Sequence, residues 1–439
     1  MSASPLTVLF MPESAYGPTN NCIGIGDVLR RRGHRVVFAA EASWKGKLAT
    51  LGFHEALVDL TPPSMDAGAG DPGQFWKDFI RDTAKEFRRP TIEQLETFMA
   101  PTWQALIDGA RFCEPQLQTI LAEVRPDIVV EDNVVCFPAL VTAGAPFVRI
   151  LSCNPLEMRG LDVPPPYSGL GSDDRNAWTR FRTEYERTQR PVWEPFNAWV
   201  QEQGAPPLPD LEFMHSSEEL NLYVYPEVID YIERRPLDAT WHRLDSSIRQ
   251  TEADFELPPQ LRDRPDGSAL VYLSLGSLGS ADVELMQRLV EILGRTEHRY
   301  IVSKGPRQDE YELAPNMWGA EFLPQTRILP IVDLVITHGG NNTVTEALHF
   351  GKPMILLPLF WDQHDNAQRV HETGFGVRLD TYGFSDEQMQ AALHQLLSDA
   401  GLRDHLDGIS REIRNRNGVA AAAQRIEAAA RHRTVAHPR

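Results

Sequence analysis

Residues Leu334 to Arg369 read LVITHGGNNTVTEALHFGKPMILLPLFWDQHDNAQR, and the fold is decided there. Leu334, Val335, Ile336 and Thr337 form a short apolar, β-branched run that predicts a strand. His338-Gly339-Gly340 breaks the run, and a helical pattern starts at Asn341. Two glycines let the backbone approach a ligand closely, and the free N–H groups and positive end of the helix that follows favour an anion such as a diphosphate. His338 is expected beside that anion. Ala347, Leu348 and Phe350 supply an apolar helix face, Gly351 ends the helix, and Met354 to Leu359 predicts a second buried strand. Asp362-Gln363 then opens another helix.

Each of these residues also has a purely structural reading. Thr343-Val-Thr-Glu346 fits the S/T-x-x-E capping box, so Glu346 can simply close a helix start. Asp362 can be an ordinary N-cap and His338 a satisfied core histidine.

Taken together, the stretch resembles the donor-binding signature of glycosyltransferase family 1, the UDP-glycosyltransferase superfamily with the GT-B fold, in its bacterial natural-product type. The family pattern falls on His338, Gly339, Gly340, Asn342, Thr343 and Glu346, then on Pro358, Asp362, Gln363, Asn366 and Ala367. Upstream, Phe322-Leu-Pro324-Gln325 resembles the start of the same signature, where an aromatic stacks on the base and the Gln hydrogen-bonds it. The family usually has Trp where Phe322 stands, and Phe still offers a stacking face. By this resemblance Glu346 binds ribose hydroxyls, Asp362 and Gln363 hold the sugar, and Gly276-Ser277 contacts the diphosphate.

Composition narrows the class further. The 42% hydrophobic and 24% charged residues of this 439-residue chain are those of a globular protein, and two large α/β domains fit the length. A net charge of −18 argues against nucleic acid or an anionic membrane surface as main partner. Met1-Ser-Ala-Ser-Pro5 leads directly into Leu6-Thr-Val-Leu-Phe-Met11, which predicts a first strand and no signal peptide. Nowhere does an apolar run reach the ~18 residues of a spanning helix, so no membrane anchor is expected. Cys22, Cys113, Cys136 and Cys153 are widely spaced, without a metal-ligand pattern, and read as reduced, mostly buried and cytoplasmic. No cofactor or metal is expected beyond the substrate itself, a UDP- or dTDP-sugar.

Along the chain, Thr7 to Met11, Asn20 to Arg32 and Arg35 to Ala39 read as strand, helix and strand. His34, in the turn between, is expected to be structural. Glu114 to Val124 predicts a helix with Pro115 in its first turn, Asp127 to Val130 a strand, Phe137 to Ala143 a helix and Pro146 to Leu151 a strand, an alternation that implies a parallel sheet. Phe75 to Phe112 and Trp178 to Trp199 are aromatic-rich helical insertions, with the loop Pro164 to Leu170 before the second. Insertions at strand ends are where α/β proteins build pockets, although plain core packing is the alternative. Asn221 to Asp263 loses periodicity and reads as a connection. Ala269 to Leu275, Arg299 to Ser303 and Ala320 to Phe322 complete a second strand series, and Gly418 to Arg431 is an Ala-rich amphipathic helix. Gly24-Ile-Gly26 lies inside the first helix and lacks the third glycine of a dinucleotide fingerprint, so hydride chemistry has little support.

The expected architecture is α/β, GT-B, with two Rossmann-like domains facing each other across a cleft. Residues 1–225 form the acceptor domain, 226–263 the linker, and 264–439 the nucleotide-sugar domain with its C-terminal helix. The reaction implied by the resemblance is an inverting, metal-independent transfer to a small, largely apolar acceptor. Rival readings are a nucleotide-sugar 2-epimerase and a catalytically silent binding or activator protein.

One departure concerns the base. The family usually carries Gly-His-x-Asn after the first strand, its His taking the acceptor proton with an Asp as partner. Here the turn is Gly17-Pro18-Thr19-Asn20, and proline cannot accept a proton. The partner Asp has a match in Val130-Glu131-Asp132. Asp132 is therefore the expected base, its pKa raised by an apolar pocket, with Glu131 and Glu13 as lesser candidates and helix capping as the structural alternative. Tyr16, Pro18 and Asn20, with Trp76 and Tyr167 from the insertions, are the expected acceptor contacts.

Overall fold

The computed structural model describes residues 4–61 and 83–436, with side chains to residue 431. Its frame is two parallel sheets. The first contains β1 (Thr7–Pro12), β2 (Arg35–Glu41), β3 (His54–Val58), β4 (Ile128–Asp132), β5 (Phe147–Leu151), β6 (Leu220–Tyr223) and β7 (Trp241–Arg243), in the order β3-β2-β1-β4-β5-β6-β7. The second contains β8 (Leu270–Ser274), β9 (Arg299–Ser303), β10 (Met317–Ala320), β11 (Leu334–Thr337), β12 (Met354–Leu356) and β13 (Gly376–Arg378), in the order β10-β9-β8-β11-β12-β13. Both are buried on two faces, as parallel sheets require, and so their central strands read as continuous apolar runs: Leu334, Val335 and Ile336 are fully buried.

Register places the chemistry. Met11 pairs with Glu131 and Pro12 with Asp132, so β1 and β4 end level with each other. In the second sheet Ser274 pairs with Thr337, so the turn at Gly276 and the turn at His338 leave adjacent strands side by side. Helix Asn341–His349 follows β11 directly, burying Val344, Ala347 and Leu348.

Several boundaries differ from the sequence reading. The first helix runs Tyr16–Arg31, so Gly17, Pro18 and Asn20 lie in its first turns and not in a preceding loop. A proline is tolerated there because the first N–H groups of a helix have no intrahelical partner. Pro115 lies inside the 25-residue helix Ala100–Val124 instead of opening one, and helix Arg175–Glu202 absorbs both Pro191 and Pro195. The stretch read as linker contributes β7 to the first sheet.

The last helix, Gly418–Ala436, crosses back to the first domain. Ala422, Ala423, Ile426 and Ala430 are buried among Val8, Phe10, Ile25 and Leu29. Gly418 makes the approach possible, since a Cβ there would stand 2.1 Å from the Leu244 carbonyl oxygen. His34 is structural: its Nδ1 accepts from the Leu6 N–H at 3.0 Å, which leaves Nε2–H to donate to Glu427 of the last helix at 2.9 Å. Ile426→Ala should therefore cost about 2–5 kcal/mol of first-domain stability in denaturant unfolding. A change within about 0.5 kcal/mol, typical of a surface position, would contradict this packing.

Candidate functional site

Strand order reverses between β1 and β4 in one sheet and between β8 and β11 in the other, and such switch points open crevices at the carboxyl ends of strands. Here the two crevices meet in one cavity of about 1230 Å³. A single small-ligand pocket is typically ~300–1000 Å³, so this volume accommodates two substrates. Glu13, Tyr16, Pro18, Asn20 and Ser152 line it from the first domain. From the second come Gly276, Ser277, Phe322, Gln325, His338, Gly340, Asn342, Thr343, Glu346, Asp362 and Gln363, every residue of the expected donor set.

The anion end is built by helix Asn341–His349, which starts after Gly340 with no side-chain cap. Its first N–H groups and the positive end of its dipole open to the cavity. Thr343 lies within this helix, so the capping-box reading of Thr343 and Glu346 does not hold. The Glu346 carboxylate instead accepts from Arg249 Nη1 and from Gln325 Nε2, each at 2.7 Å. Burial raises its pKa and Arg249 pulls it down.

His338 occupies a slot between two glycines. A Cβ on Gly276 would lie 2.9 Å from its imidazole, and one on Gly340 only 2.6 Å from Nε2. Gly276 also has φ +71, a left-handed conformation that costs glycine nothing. Burial depresses the His338 pKa to about 4, against a hydrogen bond to the Ser274 backbone that raises it. Burial thus favours the neutral ring in the free protein, and the helix start carries the positive end.

Phe322 is 52% exposed and keeps ring surface open, with Tyr16 (41% exposed) at a centroid distance of 5.6 Å across the cleft. Asp362 does not cap its own helix through its side chain; its Oδ2 accepts from the Asn154 N–H of the first domain at 2.8 Å. Gln363 Oε1 accepts from the Leu359 and Phe360 N–H groups, holding the turn before it.

Behind them, Trp361 adopts φ +57, a strained conformation for a bulky residue, and its ring lines the cavity. Tyr167, expected on the acceptor wall, does not line the cavity: it is buried behind Trp361 at 5.2 Å, its N–H donating to Asp365. Aromatic packing won over exposure there, and Trp361 takes the wall position. Trp76 lies outside the described residues.

The three carboxylates considered for proton transfer separate cleanly. Glu131 is fully buried, away from the cavity, and ion-paired to Arg149 at 3.0 Å, which removes it from any acceptor. Glu13 lines the cavity but accepts from Ser14 Oγ and the Ala15 N–H, closing a local turn. Asp132 is 3% exposed and does not cap a helix; its Oδ2 accepts from Ser152 Oγ at 2.5 Å. Burial raises its pKa to about 7, against the lowering pull of Ser152 and Arg149.

Sequence reasoning missed three functional positions. Arg249 lies in a stretch without periodicity. Asn21, one residue past the aligned Asn20, donates to both Ser152 Oγ and Asn342 Oδ1 at 2.8 Å. Ser152 follows β5 with no motif around it. Only the pairing of β4 with β5 brings Ser152 to Asp132, and no local pattern encodes that.

Residues 263–438 match the family described as UDP-glucoronosyl and UDP-glucosyl transferase. Over its length the chain is 25% identical to the NDP-glycosyltransferase YjiC of Bacillus subtilis, covering 94% of this chain and 95% of that protein. It is 27% identical to the oleandomycin glycosyltransferase of Streptomyces antibioticus, covering 97% and 91%. Among solved structures, the kitacinnamycin glycosyltransferase superposes with a TM-score of 0.70 over 97% of this chain and all of the other, at 22% identity. That likeness establishes the two-domain GT-B fold.

Burial raises the pKa of Glu157 and Asp365 to about 8, of Asp132 and, against the pull of Arg149, Glu131 to about 7, and of Asp362 to about 6. Between pH ~6.5 and 8 the folded state therefore binds more protons than the unfolded chain, whose carboxyls have lost theirs by pH ~5. The buried histidines, lowered to about 3–4, are neutral when folded but about half protonated at pH 6.5 when unfolded, so they oppose the carboxyls at the lower end of this window with a smaller contribution that is gone by pH ~7.5. Stability should fall as pH rises from 6.5 to 8, read as a declining melting temperature at constant ionic strength. A rise across this range would contradict the burial of these groups.

Proposed function

Proceeding from a chain that is a family 1 glycosyltransferase of the GT-B fold, we propose that it transfers a sugar with inversion, without a metal ion, from a UDP- or dTDP-sugar to a small, largely apolar acceptor. The observation that carries this reading is one cavity in which an uncapped helix start, the Gly276–His338–Gly340 slot and Glu346 face Ser152, with Asp132 hydrogen-bonded behind it. In the reaction the acceptor oxygen bonds to the anomeric carbon as the bond from that carbon to the diphosphate oxygen breaks. The helix N–H groups receive the developing charge, and the adjacent anion raises the pKa of His338. Phe322 stacks on the base, Glu346 accepts from ribose hydroxyls, and Asp362 with Gln363 holds the sugar. Phe98, Leu106, Phe360 and Trp361 on the cavity wall support an apolar acceptor. Among the described residues no group of three or more His, Cys, Asp or Glu side chains is placed to hold a metal ion.

Pro18 favours a second reading, a binding protein without turnover, because it stands where the family's usual base would be. Donor consumption in the presence of acceptor separates the two.

Glu346→Gln tests the donor assignment. Arg249 keeps Glu252 as a partner, so the fold should hold while donor affinity falls about 10- to 100-fold, the worth of about one hydrogen bond to a charged acceptor. Titration calorimetry with UDP- and dTDP-glucose reads this, and unchanged affinity would remove Glu346 from the ribose. For the base, kcat/KM should rise with pH along a limb centred near 7, since Asp132 accepts a proton only when ionised. Asp132→Asn should abolish that limb and lower transfer by about 10²–10⁴-fold. A limb that persists in Asp132→Asn assigns it to another group.

A further inference from the structure

Resting on the reading of Asp132 as proton acceptor, we propose that Ser152 is a further catalytic residue, its hydroxyl passing the acceptor's proton inward to Asp132. Asp132 does not line the cavity, whereas Ser152 does, and Ser152 Oγ donates to Asp132 Oδ2 at 2.5 Å. An acceptor hydroxyl in the cavity therefore meets Ser152 first.

The hydroxyl's hydrogen-bond capacity fits a relay. A serine oxygen has one proton and two lone pairs. The proton goes to Asp132, and one lone pair accepts from Asn21 Nδ2 at 2.8 Å. The second lone pair is left for an incoming O–H. Asn21 fixes the rotamer and is itself held, since its amide also donates to Asn342 Oδ1, while Asn342 Nδ2 donates to the Gly17 carbonyl at 2.9 Å. Asn342 belongs to the first turn of the anion-binding helix, so the relay is aligned from the donor side of the cleft.

The step balances without any further reactant. As the acceptor oxygen bonds to the anomeric carbon, its proton passes to Ser152 Oγ and the Ser152 proton passes to Asp132 Oδ2. The diphosphate leaves with the electron pair of the broken bond, Ser152 ends as it began, and Asp132 is left neutral until it releases its proton to solvent. A purely structural Ser152, tying the end of β5 to β4, predicts none of the acceptor dependence below.

The test uses UDP- or dTDP-glucose with two acceptors of similar shape, 4-nitrobenzyl alcohol and 4-nitrophenol, in single turnovers. The phenol is acidic enough to need little base assistance, while the alcohol needs it in full. Ser152→Ala should slow transfer to the alcohol by about 100-fold or more and to the phenol by less than about tenfold, with donor affinity within about twofold of the wild type. Ser152→Thr, which keeps the hydroxyl, should restore the alcohol reaction. Equal losses with both acceptors, or an undiminished alcohol reaction, would overturn the relay while leaving the glycosyltransferase reading intact. A wild type that transfers to neither acceptor overturns both. The wild type supplies a check that needs no variant: in mixtures of H₂O and D₂O the alcohol rate should bow downward with deuterium fraction, as for two protons in flight, and a straight line would refute the relay.

Discussion

A helix that begins without a cap must find acceptors for its first N–H groups, and helix Asn341–His349 begins where two domains meet. The residues able to cap it do something else. Asn341 Nδ2 donates to the carbonyls of Ser152 and Val224, and Asn342 Nδ2 to that of Gly17, all in the first domain. The same two side chains thus leave the amides open and set the spacing between the domains. The glycines at 276 and 340 follow from this arrangement, because the imidazole of His338 fills the space that their Cβ atoms would need. An anion site, an interdomain seam and a histidine slot are consequences of one helix start.

Electrostatics make that start effective in a chain of net charge −18. A diphosphate entering a cleft lined by free carboxylates would be repelled, and Glu346, the carboxylate carried by the helix itself, is not free. Glu346 is held by Arg249, and Glu131, further back, by Arg149. Glu157 and Asp365 retain protons near neutrality because burial makes their ionised forms costly. The histidine adds no repulsion to an incoming base or sugar and can take up charge once the anion is present. Removing Arg249 would leave Glu346 buried with Gln325 as a neutral donor and no charge partner, which is the expensive way to break such a contact.

The sequence made the second domain more legible than the first, for physical reasons. β9 and β11 match their predicted spans because central parallel strands are uninterrupted apolar runs, and the turn-helix signature after β11 is dense in residues with a single chemical use. Short edge strands such as β7 and β13 have no such run: Trp241, His242 and Arg243 are all half-buried and read as loop. Helix Gly418–Ala436 was recognisable as a helix, but nothing in an Ala-rich face says which domain it covers. Asp132 was found through resemblance, while Ser152 and Asn21 were not, since their meaning depends on strands far apart in sequence lying side by side. Tyr167 failed in the opposite direction: an aromatic in a loop before an insertion suggests a pocket wall, and the φ of +68 and the bond to Asp365 turn it inward.

Pro18 shows how the proton's destination is tied to the backbone. In the first turn of helix Tyr16–Arg31 a proline satisfies the helix as well as any residue, so nothing in the fold demands a histidine there. What a histidine would supply is reach, an imidazole standing between the cavity and Asp132. Without it, an acidic group sealed behind β5 has to be connected to the cavity by something that both accepts and donates. The position that closes the gap must be small, neutral and fixed in rotamer, because a charged group would compete with Asp132 for the proton and a mobile one would lose alignment. A hydroxyl bonded on two sides meets those conditions. It also sets the chemistry the cleft favours: acceptors that arrive already acidic depend little on the relay, and those with ordinary alcohols depend on every hydrogen bond that holds Ser152 in place.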